Sequence, residues 1–416
     1  MTTIAYAAIW LFCFVIPWEG VIRVSGVSIA SRAAGALALG CTLFAVIFSG
    51  RLRKWQGFHF AALIFVLTAA AELLILHVSD KLPAKYYTFP QLFLVLWMIW
   101  EVARTRGRLL SLLLAYVFGC YVAAFQTMLI YRQSGGTLRR FAAGNVDPND
   151  LAMTMALALP MAWYLAQTYQ KPLLRWICRG YLPVGVLALG LTGSRGGLVA
   201  GIVALTIVPF TMTRLTAGRL VSTIALLLIS GGLAVAYVPE KIVQRLGTTS
   251  TEVEDLSLGG RFRLWKAGLR AFADAPLMGY GTGGFIRAIS PQLGTGSQVA
   301  HNSFISVLVE EGLIGLILYL LMFLAAYRAV RRFPLLERRF GLVLLATLVM
   351  AMSPLTWEDR KSVWVILAIL VGLSQALRTT PVARTTTPLR AGPPLVGAPI
   401  TRRPAPVAGP PGELEA

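Results

Sequence analysis

A polar segment of about sixty residues, Val238 to His301, interrupts an otherwise apolar chain and gathers the side chains best suited to chemistry. Gly259-Gly260-Arg261-Phe262-Arg263-Leu264-Trp265 lies near its middle, Gly279-Tyr280-Gly281-Thr282-Gly283-Gly284 follows, and His301-Asn302-Ser303 closes it. An imidazole that titrates near neutrality can take a proton from a sugar hydroxyl, and Asn302 and Ser303 stand beside this one to orient it. Arg261 and Trp265 are four apart, so a helix from Arg261 to Phe272 puts them on one face with Leu264, Leu269 and Phe272 nearby. That pattern describes an amphipathic helix on a membrane surface, its cations aimed at headgroups or at a diphosphate. Arg263 and Arg270 are expected to be bystanders.

A second cation stands in Thr192-Gly193-Ser194-Arg195-Gly196-Gly197, between two apolar segments. Arg195 must emerge at the outer membrane surface or point into a watery cavity, and an ionisable group at that depth is usually functional. The guanidinium fork matches phosphate bidentately, and the glycines leave backbone amides for an anion; a plain tight hairpin is the structural alternative. In Asp147-Pro148-Asn149-Asp150, Asp147 reads as a helix N-cap with Pro148 at the first helical position. Glu72, inside the third apolar stretch, is a weaker candidate for a cavity lining, while His59 and His77 at span ends read as packed or interfacial rings. There is no Asp-x-Asp, no histidine cluster with metal spacing and no nucleotide phosphate loop, so no metal, ATP or other cofactor is expected.

The elements that must position these residues are membrane helices. Only 13% of the residues are charged and 56% are hydrophobic, against about a quarter charged in a soluble domain. Backbone groups cannot go unpaired in lipid, so apolar runs long enough to cross it must be helical. Twelve occur, near 3–18, 30–49, 58–77, 88–102, 109–131, 150–167, 180–193, 197–211, 220–238, 302–327, 340–355 and 363–377, the seventh and eighth short enough to form one hairpin. The expected organisation is 1–238 with spans one to nine, 239–301 as a large loop bearing the active site, 302–377 with spans ten to twelve, and 378–416 as a Pro- and Arg-rich disordered cytoplasmic tail. No cleavable signal peptide is evident at Met1 to Trp18.

With both ends in the cytoplasm, the short cytoplasmic loops, which include Arg214, hold sixteen basic residues and those opposite hold ten. That bias puts the long loop outside, in a bacterium the periplasm. Among the ten, Arg23, Arg32, Lys81 and Lys85 are expected to anchor at headgroups; Arg139, Arg140, Arg360 and Lys361 share that side. The net charge of +20 is dispersed over both faces, which argues against nucleic acid. Cys13, Cys41, Cys120 and Cys178 read as small buried residues rather than a disulfide framework.

Taken together, Asp147-Pro148-Asn149, Ser194-Arg195-Gly196, Gly260-Arg261 with Trp265, Pro276-Leu277-Met278-Gly279-Tyr280-Gly281, and His301-Asn302 followed by Glu311-Gly312 resemble the O-antigen ligase and polymerase superfamily in order and spacing. The resemblance runs from Asp147 to Gly315; before it, the chain is similar only as a run of membrane helices. It implies an all-α polytopic, GT-C-like membrane protein of about twelve transmembrane helices in the bacterial inner membrane, with one large periplasmic loop between spans nine and ten. It implies a metal- and ATP-independent glycosyltransferase that moves O-antigen from undecaprenyl diphosphate to lipid A core oligosaccharide at the periplasmic face. The superfamily's two arginines fall on Arg195 and Arg261 and its histidine on His301, with substrate contacts expected from Arg195, Arg261, Asn302, Asn149, Trp265 and Tyr280. Relatives that glycosylate pilin carry an extra C-terminal region where this chain has only its tail, which favours the lipopolysaccharide ligase.

The implied chemistry is coherent. Two arginines stabilise the charge developing on the diphosphate, as a metal does elsewhere, and His301 orients or deprotonates the acceptor hydroxyl. Direct attack inverts the anomeric carbon; double displacement needs a carboxylate, and Glu310 and Glu311 lie more than two turns inside the helix that His301 opens. The partners implied are the lipid-linked glycan, the lipid A core and membrane lipids. A polymerase of the same superfamily fits the same residues. A polyprenyl-linked glycan transporter or flippase fits the span number, although the chain lacks two similar six-span halves.

Overall fold

The computed structural model describes residues 1–24, 27–75, 84–144, 146–211, 217–247, 260–294 and 298–379. The expectations for His77, Lys81, Arg214 and the tail from 380 onward lie outside these residues.

Helices stand on all twelve apolar stretches: α1 (Thr2–Val15), α2 (Ile29–Ser49), α3 (Gly57–Ile75), α4 (Ala84–Val102), α5 (Arg106–Gln133), α6 (Pro148–Thr168), α7 (Pro172–Leu191), α8 (Arg195–Leu205), α9 (Ile207–Thr211) and α10 (Ala217–Tyr237) before the polar segment. α11 (Glu240–Gly247), α12 (Arg261–Asp274) and α13 (Phe285–Leu293) lie within it, and α14 (Ser303–Glu310), α15 (Gly312–Arg331), α16 (Leu335–Met352) and α17 (Lys361–Thr379) follow. Among the described residues, the strands are a short antiparallel pair, Arg23–Val24 against Val27–Ser28. Six described segments are long and apolar enough to cross a membrane: Ile29–Ser49, Arg106–Gln133, Pro172–Leu191, Leu220–Tyr237, Gly312–Arg331 and Lys361–Arg378. The seventh stretch begins earlier than its most apolar residues suggest, because Pro172 starts the helix and gives it 20 residues.

α6 is the central strut. From Leu151 to Ala166 every residue except Thr154 is buried, and the helix packs against α5, α7, α8 and α16. Ala152, Ala156, Ala158 and Ala162 keep its surface low, so neighbouring backbones approach closely. At the α8 contact a Cβ on Gly197 would stand 2.3 Å from the Ala152 Cβ, which holds the start of α8 against the start of α6.

The polar segment has a small core of its own. Ala267 and Ala271 on α12, Phe285, Ala288 and Ile289 on α13, and Val309 on α14 are buried together. The loop helices are therefore fastened to the bundle by apolar contact with α14.

The tenth stretch is not one helix. α14 ends at Glu310, α15 starts at Gly312, and Gly312 has φ +64°. The chain Pro276–Gly284 presses backbone to backbone into this break. Leu313 N–H donates to Pro276 O (2.9 Å), Tyr280 N–H to Val309 O (3.0 Å) and Gly281 N–H to Glu310 O (2.8 Å). A Cβ on Gly312 would lie 2.2 Å from Leu277 O, so only glycine permits the contact.

Candidate functional site

The site begins at the N-terminus of α6. Asp147 caps it, its carboxylate accepting from Asn149 N–H (2.7 Å) and Asp150 N–H (3.4 Å), with Pro148 in the first turn. Such a cap contributes about 1 kcal/mol. The Asn149 side-chain oxygen then accepts from two directions, from Arg140 Nη2 (2.7 Å) and from Ser194 Oγ (3.0 Å). Arg140 Nε also donates to Thr192 O (2.8 Å), so one guanidinium joins α6 to the α7–α8 turn. Ser194 caps α8 by accepting from Gly197 N–H (3.2 Å), and half-buried Arg195 is the first residue of that helix. The expected cradle of free amides in this turn is largely absent. Gly193, Ser194 and Gly197 donate to Gly190 O, Thr192 Oγ1 and Ser194 Oγ, because the turn must satisfy its own helix ends.

The second half of the site is the exit of the polar segment. Arg261 and Trp265 share the first turns of α12, as their spacing predicts, and Arg263 and Arg270 are exposed. Trp265 Nε1 donates to Ala300 O at 2.8 Å, and His301 N–H donates to Thr356 Oγ1 at 3.0 Å. His301 is the one non-glycine with positive φ (+47°) among the described residues, a left-handed conformation that concentrates at functional sites. Burial pushes its imidazole below the ordinary range; Arg261 pushes the same way, and Asp147 and Asp150 oppose it. Arg261 and the acidic start of α6 are thus both within electrostatic reach of the ring.

The flanking residues expected to orient that ring have other duties. The Asn302 side-chain oxygen caps α14, accepting from Phe304 N–H (2.9 Å) and Ile305 N–H (3.0 Å). Ser303 Oγ donates to Leu355 O (2.9 Å) and accepts from Trp357 N–H (2.7 Å). Capping the helix start takes Asn302, and fastening it to residues 355–357 takes Ser303.

The loop between α16 and α17, residues 353–360, joins the two halves. A Cβ on Gly196 would lie 2.9 Å from Pro354 Cγ, Thr356 receives His301 N–H, Trp357 Nε1 donates to Asp150 Oδ1 (2.8 Å), and Arg360 Nη2 pairs with Asp150 Oδ2 (2.8 Å). Arg140, Asp150, Thr356 and Trp357 are site-building residues that reading the sequence for function passed over. The hint available was the surplus of basic residues in the loops expected to face outward, of which Arg140 and Arg360 are two.

Tyr280 is placed differently from the rest. It is half-buried against the α12–α13 core, and its carbonyl accepts from Arg287. Its glycine-rich turn is held by carboxylates: Thr282 N–H donates to Glu72 Oε2 (3.0 Å), Thr282 Oγ1 to Glu311 Oε1 (2.6 Å), and Gly283 N–H to Glu310 Oε2 (2.9 Å). Glu72 is thereby a buried anchor for the loop, and Glu310 and Glu311 stand at a helix break rather than inside a continuous helix. Lys85 is not a headgroup anchor. Its ammonium pairs with Glu310 (2.8 Å) and with Glu358 and is only 14% exposed, because these two buried acids need a counter-charge.

All four cysteines are free, three of them buried. Residues 181–320 match a family model described as O-antigen ligase. The match runs from within α7 into α15 and contains Arg195, Arg261, Trp265, Tyr280, His301 and Asn302, while Asn149 precedes it. An uncharacterized protein of Haemophilus influenzae is 23% identical over 229 residues, covering 50% of this chain and 56% of that protein. The chain therefore spans little more than half the length of that relative.

Proposed function

We propose, for a chain whose residues 181–320 match the O-antigen ligase family model, that it transfers O-antigen from undecaprenyl diphosphate to lipid A core oligosaccharide at the periplasmic face of the bacterial inner membrane. The observation that carries this reading is His301, half-buried beside Arg261 with its imidazole below the ordinary range. Burial and Arg261 both favour the neutral ring, the form that can accept a proton.

In the reaction the acceptor hydroxyl oxygen attacks the anomeric carbon of the donor. The bond from that carbon to the phosphate oxygen breaks, undecaprenyl diphosphate leaves with the electron pair, and His301 takes the hydroxyl proton. Arg195 and Arg261 stabilise the negative charge growing on the leaving diphosphate, the role a divalent ion plays in other glycosyltransferases, so neither metal nor ATP is required. Asp147 is engaged in capping α6 and Asp150 in holding Trp357 and Arg360, which supports direct displacement with inversion over a covalent intermediate. Asn149 and Trp265 hold the two arginine-bearing helices, Asn302 caps the helix that follows His301, and Tyr280 is kept as a substrate contact in this reading. This reading takes twelve spans, cytoplasmic termini, a periplasmic loop at 239–301 and a tail from 378 that takes no part.

The test is to incubate the purified protein in EDTA with lipid-linked O-antigen and rough lipopolysaccharide. The expected product is lipopolysaccharide bearing O-antigen. Longer chains left on undecaprenyl diphosphate would make the protein a polymerase, and no glycan transfer in any combination would end the proposal.

A further inference from the structure

The apolar groove between α1, α2 and α4 is distinguished by its head. It measures 620 Å³, with Phe12, Leu39, Leu92 and Met98 among its walls. From Ala84 to Met98 it follows α4 for about 20 Å, at 1.5 Å per residue, which is two-thirds of the roughly 30 Å of hydrocarbon in a bilayer. At the end nearest Ala84 it is lined by Arg32, Lys361 and Ser31. Ser31 is 1% exposed and its hydroxyl has no hydrogen-bond partner among the described residues, so a buried polar atom is left for a ligand to satisfy.

Lys361 also lines a second, polar cavity of 300 Å³ together with Asp147, Asp150, Trp357 and Arg360. Its ammonium pairs with Glu19 at 2.6 Å and is 27% exposed, which leaves donor capacity at the junction. Asp147 and Asp150 are the carboxylates that act on His301. The hydrocarbon slot and the polar chamber thus share Lys361 as a common wall, and the chamber's other walls include the two carboxylates that act on the candidate base.

We infer that the α1–α2–α4 groove seats the isoprenoid chain of the polyprenyl diphosphate donor, with Arg32, Lys361 and Ser31 meeting the phosphate nearest the chain. The inference rests on the proposed reaction for its choice of lipid. In a polyprenyl diphosphate the hydrocarbon is bonded to the leaving diphosphate, one phosphate away from the bond that breaks, so its groove must end close to the reacting centre. The acyl chains of the acceptor lipid are separated from the acceptor sugar by the whole core, and their seat carries no such requirement. The two cations and the free hydroxyl complement a phosphate, and the apolar walls complement the chain.

The test uses Ala36→Trp, which fills the groove from an exposed position on α2 that lines it, and Gln91→Trp from the opposite wall. Ala33→Trp, exposed on α2 and outside the groove, is the control. Binding of undecaprenyl diphosphate to the purified full chain is measured beside dimethylallyl diphosphate, which offers the same head and almost no chain, and phosphatidylglycerol. Either groove variant that remains folded is expected to weaken undecaprenyl diphosphate about tenfold or more by excluding a few methylenes, with dimethylallyl diphosphate and the Ala33 variant unchanged. Undiminished binding of the long chain by both groove variants overturns the inference. So does displacement of undecaprenyl diphosphate by equimolar phosphatidylglycerol, which would make the groove a seat for bulk lipid. Because the readout is binding, a protein that held the long chain here yet transferred no glycan would lose the proposed reaction and keep the groove.

Discussion

The indole N–H of Trp265 donates to the carbonyl of Ala300 at 2.8 Å, so the helix that carries Arg261 is tied to the peptide immediately before His301. One bond thus sets the distance between the proposed leaving-group cation and the proposed base. Trp265→Phe keeps the ring and removes the donor. Since small misplacements of catalytic groups cost up to about a hundredfold, kcat is expected to fall by roughly ten- to a hundredfold with KM little changed. Steady-state transfer at the wild-type kcat would show that the bond does not position His301.

The charges around His301 predict a directional pH effect. Asp147 raises the imidazole's pKa against burial and Arg261, which lower it. Asp147→Asn removes the raising influence while asparagine still caps α6. The acid limb of the kcat/KM profile, where protonation silences the base, should therefore move to lower pH. The same sign governs stability. The folded imidazole titrates below the unfolded value of about 6.5, so the unfolded state binds the extra proton first and His301 costs stability as pH falls through that window. An acid limb that stays put or moves upward in Asp147→Asn would remove His301 as the titrating group.

Arg195 and Arg261 should not tolerate lysine. If each fork binds phosphate oxygens in pairs, Arg→Lys keeps the charge, loses the geometry and is nearly as damaging as Arg→Ala. Two residues acting on one leaving group are also non-additive, so the double alanine variant should fall little below the worse single one. Full transfer rates for both lysine variants at normal expression would reduce them to interfacial anchors.

Arg140 should act through Asn149 and the α7–α8 turn. Its guanidinium reaches Thr192 O and Asn149 Oδ1 together, which a single ammonium cannot reproduce. Arg140→Lys and Asn149→Ala are each expected to lower transfer about tenfold, and the double variant should be no worse than the poorer single one, the mark of one shared network. Strictly additive losses in that double-mutant cycle would separate the two residues.

The backbone of His301 permits a further separation of fold from chemistry. At φ +47° glycine is unstrained, so His301→Gly is expected to match or exceed the wild type in detergent melting temperature, while His301→Ala does not. Both should lose about 10² to 10⁴ in rate as the base disappears. Substantial transfer by the glycine variant would dismiss the imidazole from the mechanism.

Much of this was readable residue by residue. Apolar runs marked helices because a chain in lipid has few other ways to satisfy its backbone, and Asp147-Pro148 marked a helix start by local capping. The four-residue spacing of Arg261 and Trp265 placed both on one helix face. The tenth stretch misled, because the residues on either side of Glu311-Gly312 are good apolar helix formers. Its break is imposed by the backbone of Pro276–Gly281, from a separate stretch of the chain ahead of His301. Lys85 misled for the same reason: as a lone cation at a helix end it reads as an anchor, and its partners Glu310 and Glu358 lie 225 and 273 residues away.

Hydropathy, capping and short spacing are properties of neighbours in the chain, and from them follow the membrane class, the order of helices and the polar segment with its arginines and histidine. Which carboxylate faces which cation is a property of neighbours in space. Asp150 meets Trp357 and Arg360 across 207 and 210 residues, and His301 feels Arg261 from within its own polar segment and Asp147 from the N-terminal end of α6, ahead of that segment. Such pairings exist only after α6, α8, α12 and the 353–360 loop have packed, because the apolar contacts that select the packing carry no record in the sequence of which polar groups they will bring together.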